Sequence, residues 1–345
     1  MHHPRIKGSY YGMGRNYGAL LYKHGFRVQA QSNEKLGFAE KSEPELRRFF
    51  PEILDEIRGF AEGCHASYED LSAFMLTIGA FKPQPMCSGF AASNGSDVIF
   101  GRNYDFFYSF KKYTESYLTA PQDAYLSLGH SDVFIGREDG INENGLAVAM
   151  TGVCGKSVKP GVNFILAVRQ VLDKCADVRE ATRSLLNMRC STTTNFLLAD
   201  RTGQMAVAEV SPDKALIRKP KDAESFIVCT NHFVLPEMEQ YEDLDCRNAE
   251  NWDTIQRYQA ISESILQAGR NMNVETAQHI LSDHKGYVCS HQRNKKLGTL
   301  WSITANLTNF DVSRAEGNPC RTKYKEDRRL KSVIQKRMTP TKHAI

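Results

Sequence analysis

Cys87 opens the run Met86-Cys87-Ser88-Gly89-Phe90-Ala91-Ala92, and a strand-like segment then leads to Gly101-Arg102-Asn103-Tyr104-Asp105. These residue types suit nucleophilic chemistry. Thiolate is the strong nucleophile among ordinary side chains, and nearby positive charge favours it. Arg102 stands fifteen residues after Cys87 and Asp105 eighteen, room for a strand, a turn and a returning strand. A cysteine that becomes the first residue of its chain also gains its own α-amine as a base. The reference pKa of that amine, about 7.7–8.0, suits proton transfer near neutrality. Asp105 would orient the amine and raise its basicity by opposite-charge stabilisation, and Arg102 would lower the thiol pKa. In a strand, positions 102 and 105 face opposite sides, so both reach the site only if the strand ends near Tyr104. A buried structural thiol at Cys87 and a surface ion pair at Arg102 are the alternatives.

The elements around Cys87 must hold it in an extended segment. Residues 8–86 read as mainly helical. Glu43 to Phe60 has apolar residues at helical spacing, with Pro51 as a break or a helix start. Ser67 caps a further helix, with Asp70 three residues on, ahead of the apolar stretch Leu71 to Phe81. Pro83 and Pro85 end it and lead into Cys87 in extended conformation. Short β-like runs follow at Phe90–Ala92, Val98–Arg102, Ala124–Leu128, Leu146–Met150, Asn195–Ala199, Met205–Val210 and Phe226–Thr230. Two long amphipathic helices lie between them, from about Asn163 to Leu186 and from about Trp252 to Gln267. Strand groups separated by helix groups predict a layered α+β architecture rather than regular βαβ winding.

Bulk properties narrow the function classes. The chain has 345 residues, with 41% hydrophobic and 24% charged, values usual for a globular protein with a large core. No stretch of about 18 uncharged apolar residues predicts a membrane span, and Met1 to Lys7 lacks a signal peptide's apolar core. Nine cysteines are scattered without a C-x-x-C pair, which points to reduced thiols in a cytoplasmic protein. From Arg321 to Ile345 nine Lys/Arg face two acids, a surplus of 7, so the body carries 4 − 7 = −3. The basic tail reads as a solvated extension, and the body has no basic face for nucleic acid. Gly12-Met13-Gly14-Arg15-Asn16-Tyr17-Gly18 is glycine-rich but follows no strand, so no dinucleotide fold is expected. His284 and His291 flank Cys289, in a segment that reads as a loop without zinc-ligand spacing. No metal is expected.

Further segments carry chemistry. Asp139-Gly140-Ile141-Asn142-Glu143-Asn144-Gly145-Leu146 is a tight turn feeding a strand, Cys229-Thr230-Asn231-His232-Phe233 ends an apolar strand with a polar amide, and Trp252 to Tyr258 opens a helix with charged residues in its first turns. Asn231 is a candidate oxyanion donor, a role worth roughly 2.7–4 kcal/mol, or a turn residue. His232 reads as structural. With these segments, with Gly101 to Asp105 and with Gly298-Thr299-Leu300-Trp301-Ser302 near the end, the chain resembles the N-terminal nucleophile hydrolases. The branch is that of acyl-coenzyme A:isopenicillin N acyltransferase, with choloylglycine hydrolases and penicillin V acylases as more distant relatives. The order and spacing of the motifs, over nearly the whole chain, carry the resemblance.

The resemblance implies a four-layer αββα sandwich and autocatalytic cleavage between Met86 and Cys87. It implies a helical leader over 1–86, a core over 87–320 and a basic tail over 321–345, all in one integrated domain. The catalytic residues would be Cys87, Arg102, Asp105 and Asn231, with Arg257 matching a substrate-binding arginine of the choloylglycine group; a helix-surface arginine is the alternative there. The substrate would be a small amide or acyl thioester, with no cofactor beyond coenzyme A thioester as an admissible acyl donor. The product of cleavage would be an α/β heterodimer, with further homo-oligomers open. The chain also departs from the pattern. Gly152 stands where choloylglycine hydrolases carry a polar side chain, Lys296-Leu297 replace the acyltransferase's Ser-Arg pair, and Met86 replaces a glycine at the cut. An uncut Cys–His hydrolase using His232 or His291, and a silent binding homologue, are the other two readings.

Overall fold

The computed structural model describes residues 1–81, 86–221, 224–250 and 253–338. The chain before Cys87 forms β1 (Arg5–Gly8), α1 (Tyr10–Lys23), α2 (Asn33–Phe49), α3 (Pro51–Gly63) and α4 (Tyr68–Leu76). Pro51 starts a helix, as a proline at the first helical position can, and the Ser67 side chain caps α4 by accepting from the Asp70 amide. Pro83 and Pro85 lie outside the described residues.

The chain then gives β2 (Met86–Ser93), β3 (Val98–Phe107), β4 (Glu115–Pro121), β5 (Ser127–Ser131), β6 (Asp139–Asn142) and β7 (Ala147–Gly152). Next come α5 (Phe164–Lys174), α6 (Val178–Asn187), β8 (Thr194–Ala199), β9 (Met205–Val210), β10 (Ala215–Arg218) and β11 (Phe226–Cys229). The last part holds α7 (Pro236–Glu239), α8 (Leu244–Glu250), α9 (Thr254–Ala268), α10 (Val274–Leu281), β12 (His291–Gln292), β13 (Leu297–Asn306), β14 (Asp311–Ala315), β15 (Lys325–Glu326) and α11 (Arg329–Met338).

The strands make two sheets, in the orders β1-β4-β5-β6-β7-β8-β9-β10 and β11-β2-β3-β13-β14-β15, with β12 also on β13. β2 lies against β7 and β8, while α5 and α6 cover the first sheet and α9 and α10 the second. The result is the expected α+β sandwich of four layers. Its strands are buried on both faces, which is why they read as short apolar runs rather than clean alternations.

Four expectations need correction. The leader is not wholly helical, because β1 pairs in parallel with β4 at the edge of the first sheet. The helix expected over 163–186 is two, since the chain turns extended at Cys175 and Asp177 caps a new start. The basic tail is not simply solvated. Leu330 is fully buried, and Arg329 donates to Ser116 on β4 and pairs with Asp327. The last seven residues lie outside the described set. Finally, not every thiol is free: Cys154 and Cys246 are bridged.

The glycine run near the start also finds its use. Gly14 and Gly18 of α1 face Gly59 and Gly63 of α3, and a Cβ at any of them would strike backbone of the partner helix. Only glycine permits that approach. Tyr10, Phe50 and Phe60 of the leader share one apolar core with Cys87, Val148 and Phe196.

Candidate active site

The hairpin β2–β3 sets the geometry. Cys87 lies opposite Tyr104 and Met86 opposite Asp105, and directly opposed side chains of an antiparallel pair share a face. Arg102, two residues before Tyr104, is therefore on the Cys87 face, between the sheets. Asp105, Ser88 and Asn103 are on the other face, under α9 and α10. β3 does not end near Tyr104 but runs to Phe107. Arg102 and Asp105 thus do point apart, and the site straddles the strand instead.

On the inner face the Arg102 Nη2 donates to Cys87 Sγ at 3.2 Å and to the Met150 carbonyl at 3.1 Å. Its Nη1 forms an ion pair with Asp139. Asp139 also accepts from Trp301 Nε1 at 2.9 Å and meets His130 Nδ1 at 2.6 Å. A one-residue irregularity in β13 at Leu300 shifts Trp301 opposite Tyr104, and the two rings stack at 3.8 Å. Asp139 and Trp301 sit inside segments singled out by sequence, yet neither gave a signal of contact with Arg102.

On the outer face Arg257, from α9, donates to the Cys87 carbonyl (2.6 Å), Ser88 Oγ (2.7 Å) and Asn231 Oδ1 (2.7 Å). Asn231 Oδ1 also accepts from the Cys87 backbone N–H at 3.0 Å, while its Nδ2 donates to the Gly152 carbonyl at 2.7 Å. Two donors at one end and a carbonyl at the other leave a single amide orientation. Asn231 therefore holds the nitrogen of Cys87, a role sequence did not suggest. Thr254, at the start of α9, fixes it by accepting from the Asn231 backbone N–H. Asp105 Oδ1 accepts from Thr299 Oγ1 at 2.6 Å, and its buried Oδ2 has no hydrogen-bond partner among the described residues.

Electrostatics keep the thiol neutral. Burial pushes the Cys87 thiol up to about 12, Asp105 adds to this, and Arg102 and Arg257 pull against it. Arg102 acts in the expected direction and is the leading opposing charge, but burial outweighs it. Burial likewise raises the Asp105 carboxyl to about 6, with Arg257 opposing. His232 contacts the Thr230 and Thr254 hydroxyls, and burial lowers it to about 3. It is neutral and structural. His291 meets Cys289 and Cys320 rather than Cys87.

A cleft of about 430 Å³ opens beside Met86 and Arg257, walled by Asp253, Tyr287, Cys289 and His291. Asp253 and Tyr287 both hold positive φ, 49° and 60°, a conformation that clusters at functional sites. Met86 packs against the Cys154–Cys246 bridge and Leu297. The fold also brings His284, Cys289, His291 and Cys320 together, where the sequence offered no ligand spacing.

The family model described as acyl-coenzyme A:6-aminopenicillanic acid acyl-transferase matches residues 91–321, two thirds of the chain. The chain belongs to this acyl-transferase family. The match takes in Arg102, Asp105, Asn231 and Arg257 and begins four residues after Cys87. Among solved structures, an N-acylethanolamine-hydrolyzing acid amidase ortholog from Caenorhabditis elegans is similar to it at 18% identity, covering 64% of this chain and 93% of that one, with TM-score 0.48. The conjugated bile acid hydrolase of Clostridium perfringens is 16% identical over 70% of this chain and 96% of its own, with TM-score 0.47. Penicillin V acylase from Agrobacterium tumefaciens is 17% identical over 67% and 82%, with TM-score 0.44. No curated protein matches the sequence significantly.

Proposed function

We propose that this acyl-transferase family member is a cysteine amidohydrolase or acyltransferase, activated by scission of its own Met86–Cys87 bond. The observation that carries the reading is the treatment of Cys87. Its sulfur, its nitrogen and its carbonyl each have a dedicated partner: Arg102, Asn231 and Arg257. A structural thiol needs none of these.

In the first reaction Cys87 Sγ adds to the Met86 carbonyl carbon. The thiol proton passes to the Cys87 nitrogen, the C–N bond breaks and a thioester forms. Water then hydrolyses that thioester, giving a Met86 carboxylate, a free thiol and a free α-amine at Cys87. Asp105 is the group assigned to carry the proton, a reading supported by its raised carboxyl and by an Oδ2 without a partner among the described residues. In the second reaction the new α-amine takes the thiol proton, and Sγ attacks the carbonyl of a small linear amide or acyl thioester. The departing amine or thiol takes that proton back. Water, or a second amine, then accepts the acyl group from sulfur. Donation from Asn231 Nδ2 to the tetrahedral oxygen would contribute roughly 2.7–4 kcal/mol. Arg257 orients the Cys87 carbonyl and faces the cleft where substrate enters.

Intact-mass measurement of the purified protein tests this. Two chains of 86 and 345 − 86 = 259 residues are expected, and Cys87→Ala should yield one chain with no turnover of amides or thioesters. A wild-type chain that stays whole, with Cys87 inert to thiol-reactive acyl probes, would overturn the reading in favour of a silent binding protein.

A further inference from the structure

His284, Cys289, His291 and Cys320 each offer one ligand atom, and the four atoms lie within 4.8 Å of one another. His291 Nε2 is 3.0 Å from Cys320 Sγ and 3.5 Å from Cys289 Sγ, and the His284 and His291 rings are 5.0 Å apart. A tetrahedral zinc ion, with Zn–N of about 2.0–2.1 Å and Zn–S of about 2.3 Å, separates its ligand atoms by about 3.5 Å. The imidazole of His291 already sits near that spacing from both sulfurs. Side-chain rotation of exposed His284 closes the remaining gap without moving the core.

We propose that these four residues bind one zinc ion, as a Cys₂His₂ site in the wall of the cleft beside Met86 and Arg257. The donor set is the argument for zinc. Two sulfurs and two imidazoles in tetrahedral reach select a borderline-soft ion over magnesium or calcium, which take oxygen. Binding would release the two thiol protons and leave a neutral complex of two thiolates, two neutral imidazoles and Zn²⁺. Among the described residues no carboxylate joins the four in the cluster.

The placement gives the ion a structural consequence. His284 and Cys289 lie in the connection after α10, His291 begins β12, and Cys320 follows β14. A hydrogen bond from Asn318 Nδ2 to the Ser290 carbonyl already joins these segments at 2.9 Å. Zinc would fasten them, fixing the wall that carries Tyr287 opposite Arg257. The competing arrangement is a Cys289–Cys320 disulfide with the imidazoles beside it.

The full chain, kept reduced with a phosphine and stripped with a chelator, is titrated with Zn²⁺ and separately with Co²⁺. One metal per chain by elemental analysis is expected. Co²⁺ should show thiolate-to-metal charge transfer and the intense d–d bands of a tetrahedral site. His284→Ala, at an exposed position, should weaken binding at least by the roughly 10–100-fold that even outer-shell changes cause, and Cys320→Ser should remove the thiolate band's intensity or the site altogether. Substoichiometric metal, an octahedral cobalt spectrum, unchanged affinity in both variants, or a Cys289–Cys320 disulfide that persists under reductant would each overturn the site. The readout needs no substrate, so it stands or falls apart from the acyl chemistry above.

Discussion

Two buried arginines reach Cys87 from opposite faces of one hairpin, and their charges are balanced differently. Arg102 is locked in an ion pair with Asp139 and is raised above its ordinary pKa even though burial works the other way. Arg257 donates to three uncharged oxygens, and burial lowers it, with Asp105 as the leading opposing charge. The inner arginine divides its charge between Asp139 and the Cys87 sulfur. The outer one holds the Cys87 carbonyl, beside a carboxyl with one oxygen that has no partner among the described residues. The comparison teaches that the arginine in contact with the sulfur opposes the upward push on the thiol more than the other does, and that burial outweighs both.

The contrast can be broken most directly at Arg102. Arg102→Leu leaves Asp139 charged and buried without its partner, so unfolding free energy in urea should fall by about 3–5 kcal/mol. A loss below about 1 kcal/mol would show that the ion pair is not what holds the inner face.

The Asp105 side is sharpened by pH, in a Cys87→Ala background where the bond stays whole. The folded-state carboxyl is raised from 3.8 to about 6, so the folded chain keeps a proton that the unfolded chain loses first. Stability from this group is therefore present below about pH 4 and declines as pH rises to about 6. Asp105→Asn removes that decline. At about 1.36 kcal/mol per unit, the variant should gain about 3 kcal/mol on its parent between pH 4 and pH 7. An unfolding-energy difference that is flat with pH would contradict the buried-carboxyl account.

The smallest effect is expected at Arg257. Arg257→Lys keeps the charge but loses the fork that reaches Ser88 and Asn231 together. About 1–3 kcal/mol of stability should go with the unsatisfied oxygens, while the half-time of chain scission lengthens by more than that loss explains. Scission at the normal rate would remove Arg257 from the proposed mechanism and leave it a packing residue.

Much of the site was readable because its parts are local. Cys87, Arg102 and Asp105 share a hairpin, and hairpin register follows from short sequence. The alternation of strand faces was also read correctly, but it was taken as an obstacle. The chain resolves it by using both sides: side-chain sulfur within, backbone nitrogen and carbonyl without. Asn231 illustrates the limit. Its type announced a hydrogen-bonding amide, but only the meeting of β2, the end of β11 and the start of α9 shows that it grips the Cys87 nitrogen. The zinc candidate was invisible for a similar reason, since Cys320 joins residues about thirty positions away through β13 and β14. Strand β1 was missed because four residues with a parallel, distant partner carry no periodic signature.

That short strand has a further consequence. The leader is woven in by β1 on β4, and by Arg169 of α5 bridging Glu56 of α3 to Asp173, which Tyr10 also reaches. Once the chain is cut before Cys87, these links would keep the two pieces together, but no covalent bond would bring them back if they parted. Folding of the uncut chain is first order, whereas recovery after such a cut would be a bimolecular reassembly. The mature protein's resistance to unfolding would then depend on its own concentration, as for any obligate dimer, and a denatured sample would recover activity only as fast as its two halves can find each other.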